Sequence, residues 1–94
     1  MEILNKLQSL CNASNRRYEN KQNTDDQDKR VFNFANKNPE VCVLIGYTDY
    51  QAVKAEEVIN FYKQNPGAEI KKENDFCFIK MNYKTARIKA SLLD

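Results

Sequence analysis

The residues whose types and spacing could do chemistry lie in two adjacent segments near the end of the chain. Phe76-Cys77-Phe78-Ile79-Lys80-Met81 reads as a strand that sends Phe76, Phe78 and Lys80 to one side and Cys77, Ile79 and Met81 to the other. Residues 85–92 alternate as well, in the order Thr, Ala, Arg, Ile, Lys, Ala, Ser, Leu. Assigning Ala86, Ile88, Ala90 and Leu92 to a core leaves Arg87 and Lys89 on the face that carries the two phenylalanines. Aromatic rings interleaved with cations suit single-stranded nucleic acid, through base stacking and phosphate contact. They equally suit a protein interface, where aromatic residues and arginine are enriched among the energetic anchors. A third reading has an N-terminal helix covering this face, which would make both rings a second core layer. A further candidate contact is the corner Tyr47-Thr48-Asp49-Tyr50, at the carboxyl end of an apolar run where loops of open sheets carry sites. Helix capping and packing compete with that reading.

The same inventory argues against an enzyme. There is no histidine, which removes Ser–His and Cys–His dyads and imidazole metal ligands. Two glycines, Gly46 and Gly67, cannot write a phosphate-binding loop or a dinucleotide fingerprint. Cys11, Cys42 and Cys77 are far apart and set among apolar neighbours, which points to buried reduced thiols in a cytoplasmic compartment rather than a zinc site. Asp25, Asp26 and Asp28 lack the glycine and late glutamate of a calcium loop, and favour a helix N-terminus instead. Glu56 and Glu57 are adjacent on a helix and diverge. No catalytic residue, cofactor or metal is therefore expected.

These segments need elements to hold them. Residues 2–20 read as a helix whose apolar arc is Ile3, Leu4, Leu7, Leu10, Cys11, Ser14 and Tyr18. A polar loop, 19–28, precedes a second helix, with Thr24 and Gln27 spaced as a capping box. That helix buries Val31, Phe32 and Ala35 and stops before Pro39. Val41–Tyr47 is a continuous apolar run, expected to be a strand buried on both faces. A third helix is expected from Asp49 to about Gln64, capped by Thr48 and Gln51 and burying Ala52, Ala55, Val58, Ile59 and Tyr62. Asn65-Pro66-Gly67 turns the chain into strands at 68–72, 76–81 and 85–92. The expected fold is a single α+β domain over 1–94, a two-layer sandwich of order α-α-β-α-β-β-β with a mixed or mostly antiparallel four-stranded sheet. It divides into an N-terminal helical part, 1–38, and a β-α-β-β-β part, 39–94. Residues 41–72 would form a crossover, right-handed if its strands are parallel.

The octet Asn74–Met81 resembles the RNP octamer of RNA-recognition motifs at Phe76, Phe78 and Ile79, and the strand–helix–strand order before it is similar. Asn74-Asp75 stands where that family has Lys/Arg-Gly, Cys42 stands at its other stacking position, and no membership is assigned.

The 94 residues are 41% apolar and suffice for one core. Fifteen basic residues against thirteen acidic give a net charge of +2, which disfavours a strongly basic nucleic-acid arm and an acidic DNA mimic. No apolar run reaches the roughly 20 residues of a membrane span, and Met1-Glu2 opens no secretion signal. Twelve Asn and eleven Lys suit a low-G+C genome, such as that of a phage or mobile element. The expected function is that of a small non-enzymatic binder, an inhibitor or accessory factor occupying a surface on a protein partner or self-associating as a homodimer. The alternative is a single-stranded nucleic-acid-binding module. The contact residues are expected to be Phe76, Phe78, Lys80, Arg87, Lys89, Tyr47 and Tyr50.

Overall fold

A computed structural model describes residues 2–94. The N-terminal apolar arc forms helix α1, Ile3–Glu19, which buries Leu7, Cys11 and Ser14. Tyr18, expected on that arc, is 55% exposed, because the helix is leaving the core by its last turn. Helix α2, Asp25–Lys37, follows. Its start differs from the expected capping box. The Asn23 side-chain oxygen accepts the Asp25 N–H, while Thr24 Oγ1 donates to Asp28 Oδ2 at 2.9 Å. The buried Gln27 side chain is turned inward, where its Nε2 donates to the Leu10 carbonyl.

Strand β1, Val41–Ile45, is an interior strand of the sheet, buried at Val41, Cys42 and Val43. The next segment corrects the sequence reading. Tyr50–Lys54 is strand β2, paired antiparallel with β1 from Ile45↔Tyr50 to Val41↔Lys54. Only Ala55–Gln64 is helix, α3. The helical wheel that joined Ala52 to Ala55 and Val58 overlooked that Ala52 and Val53 are both buried and join different core clusters. Residues packed against opposite faces at successive positions require strand geometry. Thr48 and Gln51 therefore cap nothing: residues 46–49 close a hairpin in which the Gly46 N–H donates to the Asp49 carbonyl at 2.7 Å. A Cβ on Gly46 would meet the Asp49 carboxylate, which would have to turn aside, and would crowd the Asp49 carbonyl at 3.2 Å.

Strands β3 (Ile70–Glu73), β4 (Phe76–Met81) and β5 (Lys84–Lys89) form a meander. Asn74 and Asn82 open its two turns with φ of 54° and 57°, a left-handed conformation that asparagine tolerates better than most residues. The final alternation ends sooner than expected. Ala90–Leu92 is a turn of 3-10 helix, Ala90 donating to the Asp75 carbonyl, and Ala90 and Leu93 pack against the α3 core.

The sheet has five strands in the order β2-β1-β5-β4-β3, antiparallel throughout. It has five strands and not four, since the expected third helix gave up its first turn and a half to β2, and of the two expected arrangements it takes the antiparallel one and not the mixed. No strand–helix–strand unit of adjacent parallel strands exists among the described residues. Instead α3 links β2 at one edge to β3 at the other, so the RNA-recognition-like order over 41–81 is not formed. Nor is the arrangement two-layered. Helices α1 and α2 pack on one face, against Val41, Val43 and Ala52. Helix α3 packs on the other, its Val58 among Cys42, Val53, Ile79, Ala86 and Ile88. Each fully buried aliphatic side chain, such as Leu7, Val31, Val43 or Ile79, contributes about 1.5–3 kcal/mol through removal from water.

The two sheet edges are treated differently. Helix α1 seals β2: Asn15 Nδ2 donates to the Tyr50 carbonyl, Asn15 Oδ1 accepts the Tyr50 N–H, and Gln8 Oε1 accepts the Ala52 N–H, all within 2.8–2.9 Å. Residues 8 and 15, two helical turns apart, thus supply the partners a sixth strand would have supplied. Strand β3 at the other edge is exposed along its whole length.

Candidate functional site

Directly opposed residues in neighbouring strands share a face, so the register shows where each candidate points. One row crosses all five strands: Ala52, Val43, Arg87, Phe78, Lys71. Burial falls along it, from Ala52 and Val43 beneath α1 and α2 to half-buried Arg87 and Phe78, and finally to exposed Lys71. The roof of helices ends partway across the sheet. Phe76 opposes Lys89 and Lys80 opposes Thr85, so Phe76, Phe78, Lys80, Arg87 and Lys89 do lie together on one face. Phe76 and Phe78 are half-buried and belong to neither core cluster. Helices α1 and α2 cover β1 and β2; over β4 neither ring joins a core cluster, and Phe76 is shielded by Arg87, which itself meets Phe32 of α2.

Arg87 has a more defined role than the sequence suggests. Its guanidinium carbon lies 3.7 Å from the Phe76 ring centroid and 5.0 Å from that of Phe32 on α2, and Nη1 donates to Asn36 Oδ1 at 2.9 Å. Burial lowers its pKa from the ordinary arginine value, and the nearby Cys42 opposes this. Arg87 forms no ion pair with a carboxylate among the described residues. It fastens the edge of the helical layer to the open half of the sheet, and occupies one face of the Phe76 ring in doing so. Phe32 and Asn36 are the site residues that sequence reasoning missed as contact residues. Their spacing of four places them on one stripe of α2, but nothing in that stripe names Arg87 as the partner.

The expected pair Tyr47 and Tyr50 separates. Tyr47 is 98% exposed in the hairpin loop. Tyr50 is half-buried and meets Phe32 edge-on, with ring centroids 5.4 Å apart. Burial raises its phenol pKa, with further contributions from Asp28 and Cys11. Tyr50 thus joins the Phe76 cluster only through Phe32 and Arg87, while Tyr47 stands apart from it. Near this corner a pocket of about 260 Å³ lies between α1, the start of α2 and the hairpin loop, lined by Ser14, Asn15, Tyr18, Asp28, Asp49 and Tyr50 among others. Ser14 Oγ and Thr24 Oγ1 both donate to the Asp28 carboxylate, and Lys84 approaches Asp49 to 3.6 Å. The Asp28 oxygens are thereby engaged in joining α1 to α2.

Cys11, Cys42 and Cys77 are free and buried. Burial pushes the Cys11 and Cys42 thiols up to about 12. No group of three or more His, Cys, Asp or Glu among the described residues is placed to hold a metal ion, and no described helix is long and apolar enough to cross a membrane. Comparison with known proteins gives no match to a protein family, to a curated protein or to a solved structure.

Proposed function

We propose that the chain is a non-enzymatic binder acting on a protein partner, as an inhibitor or accessory factor, through the open β5-β4-β3 face. One observation carries this reading. Phe76 and Phe78 stand side by side outside both core clusters, among Lys71, Lys80 and Lys89. The part of each ring that the fold leaves exposed gains hydrophobic free energy when another surface covers it. The stacked Arg87 favours a protein over bases, because the guanidinium already occupies the Phe76 ring face that a base would need. The buried reduced cysteines support a reducing, cytoplasmic setting.

The test is Phe78→Ala, with retention of partners from the source cells measured beside the melting temperature. Truncating a half-buried ring removes part of the roughly 3–5 kcal/mol that a core phenylalanine contributes, and the melting temperature reads how large that part is. A protein held by the parent after nuclease treatment and lost with Phe78→Ala supports the proposal. Retention that nuclease abolishes means nucleic acid is the ligand. Equal retention by parent and variant overturns the site.

A further inference from the structure

The helical layer has a vacancy of definable width. Neighbouring strands lie about 4.8 Å apart, so five span roughly 19 Å between the outer axes. Packed helices lie about 8–10 Å apart, so a full roof over this sheet needs three. The first position is held by α1, bonded to the outer edge of β2 through Gln8 and Asn15. The second is held by α2, which covers β1 and reaches β5 through Phe32 and Asn36. One more helix spacing lands on β4 and β3, above Phe78 and Lys71, where no helix lies among the described residues.

The charges around that vacancy select its occupant. Lys80 and Lys89 have no ion-pair partner among the described residues, and Lys71 shares Glu73 at 3.1 Å. A second copy of this chain laid face to face would oppose Lys71, Lys80, Lys89 and Arg87 with the same four cations, against a single carboxylate on this face of β3–β5, Glu73, which Lys71 already holds. A helix that is apolar on one side and acidic along its flanks would cover both rings and meet the lysines. We propose, resting on the protein-binding reading above, that the partner inserts one acidic amphipathic helix beside α2, completing the three-helix roof.

Two synthetic peptides of about 18 residues, or five turns, test this. They share a leucine stripe, and one is flanked by glutamates, the other by lysines. Each is titrated into isotope-labelled protein with amide shifts followed by NMR, beside a thymidine oligonucleotide of about 15 nucleotides. The acidic peptide is expected to shift the amides of Phe76–Lys80 and Asn36 and to bind at least about tenfold more tightly than the basic one. That advantage should shrink in about 0.5 M salt, and Lys80→Glu with Lys89→Glu should abolish it. Equal affinity for the two peptides overturns the charge argument. Shifts confined to other elements, or no shift with either peptide, overturn the helix. Oligonucleotide displacing the acidic peptide from the same amides overturns both this inference and the protein-partner reading. If the peptides fail while the Phe78-dependent protein capture succeeds, the face remains a protein site and only its helical occupant is wrong.

Discussion

Asn15 offers the sharpest test of how the sheet is bounded. Its side chain makes two hydrogen bonds to the backbone of Tyr50, at 2.9 and 2.8 Å, on the outer side of β2. Replacing it with alanine leaves a part-buried N–H and C=O without their partners. At about 0.5–1.5 kcal/mol for each bond, the expected loss is about 1–3 kcal/mol. For a domain of this size each kcal/mol moves the midpoint by roughly 4–8 °C, so the melting temperature should fall by about 10 °C. The Tyr50 amide gives a more local readout. Its hydrogen exchange should accelerate in Asn15→Ala far more than that of Val53, which stays paired with Cys42. Gln8→Ala should act in the same way on the Ala52 amide. Because the unsealed strand would present free backbone groups, the Asn15 and Gln8 double variant should also self-associate, as sedimentation would show. An Asn15→Ala protein with the parent's melting temperature and Tyr50 exchange rate would refute the reasoning.

Three further expectations follow from the side-chain geometry. A double-mutant cycle on Phe76 and Arg87 should give a coupling of about 0.5–1 kcal/mol, the value of a partly exposed cation–π pair, whereas Lys80 with Phe32 should give none. Stability should be insensitive to thiol ionisation below about pH 9 and should fall as pH rises from there through about 12. The folded thiols of Cys11 and Cys42 are raised above the ordinary value of 9.0, so unfolding releases their protons across that window, and urea titrations at stepped pH would show it. Gly46→Ala should destabilise the β1–β2 hairpin by displacing the Asp49 carboxylate, read as a lower melting temperature that Asp49→Ala partly restores.

The alternating C-terminal strands were legible in the sequence because period-two patterning fixes which face each residue takes. Phe76, Phe78, Lys80, Arg87 and Lys89 share a face for that reason. What failed was the segment Tyr50–Lys54. Ala52 fits a helical arc and Val53 does not, and a short stretch buried on both sides has no periodicity with which to announce itself. The extent of the helical roof was illegible for a different reason. It depends on where Asn15, Gln8 and Arg87 anchor α1 and α2, and polar residues that look solvated in a helical wheel give no sign of a backbone partner 35 or 44 residues away. The Thr24 and Gln27 spacing failed because Asp28 competes for the threonine hydroxyl and Leu10 offers Gln27 a buried carbonyl.

The seam between β1 and β5 has a consequence for how the molecule assembles. One core cluster is built wholly from α1, α2, β1 and β2, so its contacts can form while the rest of the chain is still unfolded. The meander of β3, β4 and β5 is likewise built from neighbours in sequence. The two halves meet in the sheet through the pairs Val43↔Arg87, Leu44↔Ala86 and Ile45↔Thr85, with α3 closing over the opposite face. Cys42 has Val53 beside it on β2, but the rest of its apolar neighbours, and those of Leu44, come from α3 and the meander. Joining residues so distant in sequence carries the largest loop-closure cost in the sheet, so mutations along this seam, such as Ala86→Gly, are expected to slow folding more than mutations within the β4–β5 hairpin, as stopped-flow refolding would show.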